Sequence, residues 1–439
     1  MPSTPLFVIQ GLAGAKKLRG TVSIKGAKNA ALKAMAAAVL FDGSVTLENV
    51  PANDDVQTLS TILTKLGASV ERKGMNTIVI DPSKLNSTDI DATLAGSMRA
   101  SVVLTGPLLG RFGSATFPAP GGCVIGARPI DLFIKGYEKM GVTTDLDKDA
   151  CIYHMKSAGK LKAAEIFFAM QTVGGTETLM MAAVLAEGRT ILKNCAMEPE
   201  IASVAEWLNA CGAKISGAGT TTIEIEGTNG KLLSPKVPYV TIPDRIETGS
   251  FLLLGALCAE ELEIKECDPR HLESLISMLE ESGVPLKVTA SKITISKNVK
   301  PASSFKPLSD VRTHEYPGFP TDLQAPLVTL LTQVTGESKV LETIYEGRFK
   351  YVAELAKLGA NITVMNPREI LIKGPTSLRA PSKGEAVVAN DIRAGFAVVM
   401  AALTGTGTFT VTNVQLIDRG YEKLEERLKA LGADITRKQ

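Results

Sequence analysis

Two textures of apolar residues alternate along the chain. In the first, an apolar helical run passes through a turn into a short strand of alternating or β-branched residues. It recurs as AAAVLFDGSVTLENV (36–50), VVLTGPLLGRFGSATF (102–117), MMAAVLAEGRTILKNC (180–195), LLLGALCAEELEIKEC (252–267), LVTLLTQVTGESKVLETI (327–344) and VVMAALTGTGTFTVTNV (398–414). In the second, an amphipathic helix stops at a glycine and a strand follows: KLGASV (65–70), KMGVTT (139–144), ACGAKI (210–215), ESGVPL (281–286), KLGANI (357–362) and ALGADI (430–435). Gly67, Gly141, Gly212, Gly283, Gly359 and Gly432 recur every 71 to 76 residues, by subtraction of their positions. Each is placed to end its helix in a left-handed conformation.

A period of this length marks a repeated supersecondary unit. Each copy reads helix–strand–helix–strand with further strands between, and six copies fill the chain. Three copies per domain predict two similar α/β domains. The helices over 98–109 and 249–259 are apolar all round, so burial on every side is expected. Their N-termini, with free N–H groups, favour anionic ligands. The stretch GTNGKLLSPKVPYVTIPDR, rich in Gly, Pro and Ser, predicts a crossing between domains near 230–240.

Composition narrows the class. Hydrophobic residues make up 45% and charged residues 21%, as in a soluble globular protein. Aromatics are only 5%, with one tryptophan, Trp207, so closely packed helices and sheets are expected. A formal net charge of +2 provides no global field for nucleic acid or a membrane surface. Six scattered cysteines without a CxxC pair, and only His154, His271 and His314, argue against a disulfide framework or a zinc site. A reducing cytoplasm fits. The start MPSTPLFVIQGLAG lacks the pattern of a signal peptide, and the apolar run at 251–259 is too short to span a bilayer.

Candidate chemistry begins at PAPGGCVIGARPIDL (118–132), where Cys123 follows two glycines and precedes Arg128. A thiol on a glycine-rich loop beside a fixed cation has the setting for a lowered pKa, and hence for proton transfer or covalent bonding at neutral pH. Cys195, Cys211, Cys258 and Cys267 lie in apolar runs and read as small apolar filler. Lys28-Asn29 opens an alanine-rich helix, where Asn29 could cap and Lys28 could hold an anion. Arg99 lies in an apolar helix and needs a partner, either a structural carboxylate or a ligand phosphate. Asp322 in PGFPTDLQAPLV is either a helix N-cap or a general base for a hydroxyl. Arg348, Arg393 and Arg419 each sit at a strand-to-helix junction. Together with Lys28, Arg99 and Arg128 they predict a cluster for a multiply charged anion. No GxxxxGK[ST], GxGxxG or HExxH motif is present.

The strings KGAKNAAL, LAGSMRAS, PGGCVIGARPIDL, TVGGTETLMMAA, PDRIETG, FPTDLQA, ETIYEGRF, NDIRAG and IDRGYEKLEERLKALGA occur in the order seen in the enolpyruvyl transferases, in the branch that serves peptidoglycan synthesis. The resemblance covers essentially the whole chain. It implies a two-domain inside-out α/β barrel of six βαβαββ repeats, three per domain. The domains would be 25–236, carrying Cys123, and 1–24 plus 237–439, with the active site in the cleft between them. It implies transfer of the enolpyruvyl group of phosphoenolpyruvate to the sugar 3′-hydroxyl of UDP-N-acetylglucosamine, with release of phosphate and with no metal or cofactor. Cys123 would be the general acid, open also to a 2-(S-cysteinyl)pyruvic acid adduct, and Asp322 the base. Lys28, Arg128 and Arg419 would hold phosphoenolpyruvate, with Arg348 and Arg393 nearby and Asn29 orienting groups at the reacting centre. Arg99, the segment Arg128, Pro129, Ile130, Asp131 and Leu132, the residues Thr172, Val173 and Gly174, and Ile344 would bind the uridine and diphosphate parts. Partners would be these small molecules alone, in the cytoplasm, with no nucleic acid or membrane and an open oligomeric state. Phe133 replaces a histidine, and Met170 a lysine, found in some members, which bears on uridine recognition. A cysteine rather than aspartate at position 123 implies covalent inactivation by the epoxide fosfomycin. Two other readings stand beside this one: transfer to shikimate 3-phosphate, and a non-catalytic nucleotide-sugar binder.

Overall fold

The computed structural model describes residues 5–118, 130–296, 300–382 and 385–439. The chain forms two compact units: Pro243–Gln439 joined by the N-terminal residues up to Lys25, and the described residues from Gly26 to Ile242. Each has its own apolar core. The resemblance implies crossings at 24/25 and 236/237, and the residues themselves a crossing near 230–240. In the structure they fall at Lys25/Gly26 and Ile242/Pro243. The return comes later because Tyr239–Val240 still pairs parallel to Val45–Glu48, completing a sheet of the Gly26–Ile242 unit.

Six sheets are present among the described residues, three in each unit. Five share a parallel pair of strands followed by two antiparallel pairings; in four of them the last two strands form a hairpin, and in the fifth they are Leu6–Gln10 and Ile435–Lys438, from opposite ends of the chain. In Asp310–Arg312, Gly336–Leu341, Glu369–Gly374, Ile362–Asn366, for example, Val311 pairs with Val340 and Val340 with Ile370. Where the parallel strands are consecutive in the chain, as Asp310–Arg312 and Gly336–Leu341 are, a buried helix bridges them and an amphipathic one leads to the next strand, the βαβαββ order that the resemblance implies. The sixth sheet has the strands Ser114–Pro118, Ile152–Ser157 and Val142–Asp147, and an isolated parallel bridge from Asp89 to Thr116 fills the fourth place. The N-terminal segment closes the other unit. Leu6–Gln10 lies between Thr408–Thr412 and Ile435–Lys438, and Leu18–Ser23 pairs parallel to Ala259–Lys265.

All six repeat glycines have positive φ, from 90° at Gly141 to 109° at Gly212. A side chain there would meet left-handed strain, so glycine ends each amphipathic helix at the same point of every repeat. The apolar helices form the centre of each unit. In one, Arg245–Cys258, Gln324–Leu331 and Ile392–Thr404 pack on one another, with Phe251 edge-on to Phe396 at 5.8 Å. In the other, the helix Thr105–Phe112 lies against Val173–Val184 so closely that a Cβ on Gly106 would sit 2.1 Å from the Thr178 carbonyl oxygen. Small residues allow this approach, which is why the chain is rich in Ala and Gly and poor in aromatics. Among the described residues no helix is long and apolar enough to cross a membrane.

Candidate active site

In the Gly26–Ile242 unit, candidate residues gather at the starts of the central helices. Lys28 is the first residue of the helix Lys28–Ala37, and its Nζ donates to Asp55 Oδ2 at 2.9 Å, both side chains being buried. Asp55 stands in the first turn of Asp54–Lys65, which Asn53 caps by accepting from the Val56 N–H. Asn29 does not cap its helix: Ala27 occupies that place, without a side-chain cap, and its N–H is taken by the Ile242 carbonyl. A long-range backbone bond thus anchors the residue that precedes the helix, and Asn29 lies within the first turn. Arg99 is not inside a helix. The apolar run breaks into Ala92–Ser97, a 3-10 turn Arg99–Leu104 and Thr105–Phe112, and Arg99 opens the turn half-buried, with partners of its own. Thr172 caps Val173–Val184, accepting from the Gly175 N–H at 3.2 Å, which leaves Val173 and Gly174 half-exposed in the first turn. Ile130 is buried, and Asp131 and Leu132 begin the helix Asp131–Lys139. Phe133 is packed in the core and Met170 is exposed. Cys123, Arg128 and Pro129 lie outside the described residues.

The same unit holds a buried pair that the sequence did not single out. Lys33 Nζ lies 3.2 Å from Glu177 Oε2, joining the helices Lys28–Ala37 and Val173–Val184. Burial pushes the Glu177 carboxyl up to about 7, against the pull of Lys33 and with Glu200 and Glu198 adding repulsion. Apart from this Lys33 contact, its oxygens have no hydrogen-bond partner among the described residues.

In the Pro243–Gln439 unit, Asp322 lies in the 3-10 turn Thr321–Leu323 ahead of Gln324–Leu331 and does not cap that helix. Its carboxylate turns to two arginines instead. Arg348 Nη2 donates to Oδ1 at 2.9 Å and Arg393 Nε to Oδ2 at 3.3 Å. Both arginines are nearly buried, at 3% and 5% exposure, so neither is a solvated surface cation. Burial works against each charge. Asp322, Asp391 and Glu342 outweigh it at Arg348, and Tyr421, Asp322 and Asp244 do so at Arg393, so both guanidinium pKa values rise. Nη1 of each is buried without a hydrogen-bond partner among the described residues. Among the described residues these N–H groups have lost water without gaining a hydrogen bond, which is costly unless an anion completes them. Asp391 caps Ile392–Thr404 through the Arg393 and Ala394 N–H groups and so fixes where Arg393 starts.

Beneath this cluster lies Glu342, fully buried, which accepts from Thr321, Gln324 and the N–H groups of Ile344 and Tyr345. Arg419 follows the short helix Gln415–Asp418 and is half-buried, with partners of its own. Asp418 before it and Glu425 after it are both held by the Arg437 guanidinium at 2.6–3.1 Å. Thus Asp322, Arg348 and Arg393 meet in one ion-paired cluster. Glu342, Asp55, Lys33 and Glu177 escaped sequence reasoning because each is an isolated charge whose partner lies on another element.

The cysteines in apolar runs behave as filler. Burial pushes the Cys195 thiol up to about 12, and those of Cys258 and Cys267 up to about 11. Among the described residues no group of three or more His, Cys, Asp or Glu is arranged to hold a metal ion.

Comparison with known proteins agrees with this architecture. The family EPSP synthase (3-phosphoshikimate 1-carboxyvinyltransferase) matches over residues 12–428. A UDP-N-acetylglucosamine 1-carboxyvinyltransferase of Desulforapulum autotrophicum is 41% identical, covering 97% of this chain and 98% of that relative. One named UDP-N-acetylglucosamine 1-carboxyvinyltransferase 3, from Caldanaerobacter subterraneus subsp. tengcongensis, is 44% identical over 98% of this chain and 99% of its own length. The crystal structure of the enolpyruvyl transferase NikO from Streptomyces tendae superposes with a TM-score of 0.87 at 26% identity, over 100% of this chain and 99% of that one. EPSP synthase from Acinetobacter baumannii shares the fold, with a TM-score of 0.70 at 16% identity over 99% of this chain and 100% of that one. The chain therefore belongs to the EPSP synthase family of enolpyruvyl transferases, and groups there with the UDP-N-acetylglucosamine 1-carboxyvinyltransferases.

Proposed function

We propose that this enzyme transfers the enolpyruvyl group of phosphoenolpyruvate to the 3′-hydroxyl of UDP-N-acetylglucosamine, releasing phosphate, as the first committed step of peptidoglycan synthesis in the cytoplasm. The observation that carries it is the Asp322 carboxylate between two buried guanidiniums, each with an Nη1 still to be satisfied. A carboxylate held in a fixed place can take the proton of an attacking hydroxyl. The spare donors suit an anionic substrate with a carboxylate and a phosphate.

In this reading Cys123 protonates the methylene carbon of phosphoenolpyruvate, and the neighbouring carbon becomes electrophilic. The sugar oxygen bonds to that carbon while its proton passes to Asp322. The tetrahedral adduct then loses phosphate, and a proton leaves the new methyl group to restore the double bond. Lys28, Arg128 and Arg419 hold phosphoenolpyruvate, with Arg348 and Arg393 beside them and Asn29 orienting the reacting groups. Fixed cations stabilise the charge on the leaving phosphate without reorganising. Arg99, the segment from Arg128 through Pro129, Ile130 and Asp131 to Leu132, the residues Thr172, Val173 and Gly174, and Ile344 bind the uridine nucleotide.

Incubation with phosphoenolpyruvate and either UDP-N-acetylglucosamine or shikimate 3-phosphate, reading phosphate release, tests the assignment. Release is expected with the nucleotide sugar alone. Release only with shikimate 3-phosphate, or none with either while the nucleotide sugar binds, overturns it. Cys123→Ser is expected to cut turnover strongly at nearly unchanged nucleotide-sugar affinity. Fosfomycin is expected to leave one adduct on Cys123, read by intact mass.

A further inference from the structure

Glu342 has no role in the reaction as written above, yet it is one of the most fully engaged buried carboxylates in the protein. Its Oε2 accepts from Thr321 Oγ1 at 2.8 Å and from Gln324 Nε2 at 2.9 Å. Its Oε1 accepts from the N–H groups of Ile344 at 2.8 Å and Tyr345 at 2.9 Å. Thr321 and Gln324 bracket Asp322 in the chain, and Ile344 and Tyr345 open the segment that reaches Arg348. The base is itself the partner of Arg348. One side chain therefore grips both segments that meet at that ion pair.

The grip is anchored. Glu342 directly follows the strand Gly336–Leu341, and its own N–H is held by the Arg368 carbonyl at 2.8 Å. Gln324 is fixed in turn, since its Oε1 accepts from the hydroxyl of the buried Tyr351 at 2.7 Å. Burying a carboxylate is expensive, and an apolar contact could join the same elements at less cost. What a fourfold acceptor adds is definition: it fixes two backbone segments in direction as well as in distance.

We propose that Glu342 is a positioning residue for the enolpyruvyl transfer: it sets where the Asp322 carboxylate stands relative to the attacking hydroxyl and where Ile344 stands relative to the nucleotide. This rests on the reading in which Asp322 takes the hydroxyl proton. An error of about an ångström in the placement of a base can cost about 100-fold in rate, so the effect belongs in kcat.

Two variants separate the two arms. In Glu342→Gln the amide oxygen still accepts from Ile344 and Tyr345. The amide nitrogen then faces Thr321, whose hydroxyl can turn to accept, and Gln324, which can adapt only by flipping away from Tyr351. The Asp322 arm loosens and the Ile344 arm survives. Glu342→Ala loses both. Steady-state kinetics, normalised to folded protein by circular dichroism, are expected to give about a tenfold fall in kcat for Glu342→Gln, with KM for UDP-N-acetylglucosamine within about twofold. For Glu342→Ala a fall of about 100-fold with a KM raised several-fold is expected. If Glu342→Ala does not fold, the kcat-against-KM split in Glu342→Gln decides alone. Wild-type kcat in Glu342→Gln, or a loss that merely follows the unfolded fraction, overturns the proposal. Asp322→Ala is assayed alongside: if it turns over at the wild-type rate, the base role falls and the positioning role with it. If Asp322→Ala is inactive and Glu342→Gln is not, only the positioning role falls.

Discussion

The two units share their sheets, their glycine stops and their central helices, but they treat buried charge differently. Around Asp322 the cations are arginines, and planar forks meet the carboxylate from two sides at 2.9 and 3.3 Å. Glu342 below it is filled by four donors. In the Gly26–Ile242 unit the buried ion pairs use lysines, each a point charge on a flexible stem: Lys28 with Asp55 and Lys33 with Glu177. Glu177 keeps its lysine but has no further hydrogen-bond partner among the described residues, and burial raises its pKa to about 7. Glu177 teaches that burial can raise a carboxyl pKa even beside an opposite charge. Hydrogen bonds to the charged form decide how much of the desolvation cost is returned.

The largest test of that contrast is Asp322→Asn, which keeps the shape and removes the base. Turnover is expected to fall about 1000-fold, with nucleotide-sugar affinity by calorimetry nearly unchanged. Next is Lys33→Met, which leaves Glu177 without its cation. A loss of about 3 kcal/mol in urea unfolding is expected at pH 8, shrinking near pH 5.5 where Glu177 is protonated. Replacing both Lys33 and Glu177 by Met is expected to stay within about 1 kcal/mol of the wild type at pH 8, because no uncompensated charge remains.

The wild-type pH profile carries the same signature. Glu177 has a folded pKa raised from 4.5 to about 7. The folded state therefore holds the proton more tightly, and its contribution is complete below the unfolded pKa. It is lost as pH climbs through that window, by about 3 kcal/mol in all. Subtracting the urea stability of Glu177→Gln, pH by pH, isolates this slope; equal slopes in both proteins would remove Glu177 as its source. The smallest effect concerns what the units share. Gly283→Ala and Gly141→Ala, at φ of 92° and 90° with open space around the added methyl, are each expected to cost about 1 kcal/mol. Unequal costs would mean that the two units do not use the stop alike.

The repeats were legible because each glycine answers a local demand: a positive φ at a helix end is met within a few residues of sequence. The same holds for the apolar helices, whose composition already implied burial on all sides. The caps were less legible. Asn29 has the chemistry of a cap but lies within the first turn, and the Ile242 carbonyl, far along the chain, takes the N–H of Ala27, the residue that precedes the helix. Asp322 likewise sits where a cap is expected, yet two guanidiniums outbid the helix for its oxygens. Arg348 and Arg393 were recognised as candidates from their recurrence at strand-to-helix junctions, although nothing local showed that they share one carboxylate.

By itself the sequence determined the sixfold pattern, the buried character of the central helices and the types of residue at their starts, all of which follow from short-range propensity and apolar spacing. Only the tertiary structure decided which acid meets which base. Asp322 finds Arg348 across 26 positions and Arg393 across 71. Glu342 becomes a fourfold acceptor only once a strand end, a turn and a loop have been folded against one another. Coulombic attraction and hydrogen bonding depend on distance in space, and that distance is set by how sheets and helices stack rather than by the order of residues along the chain.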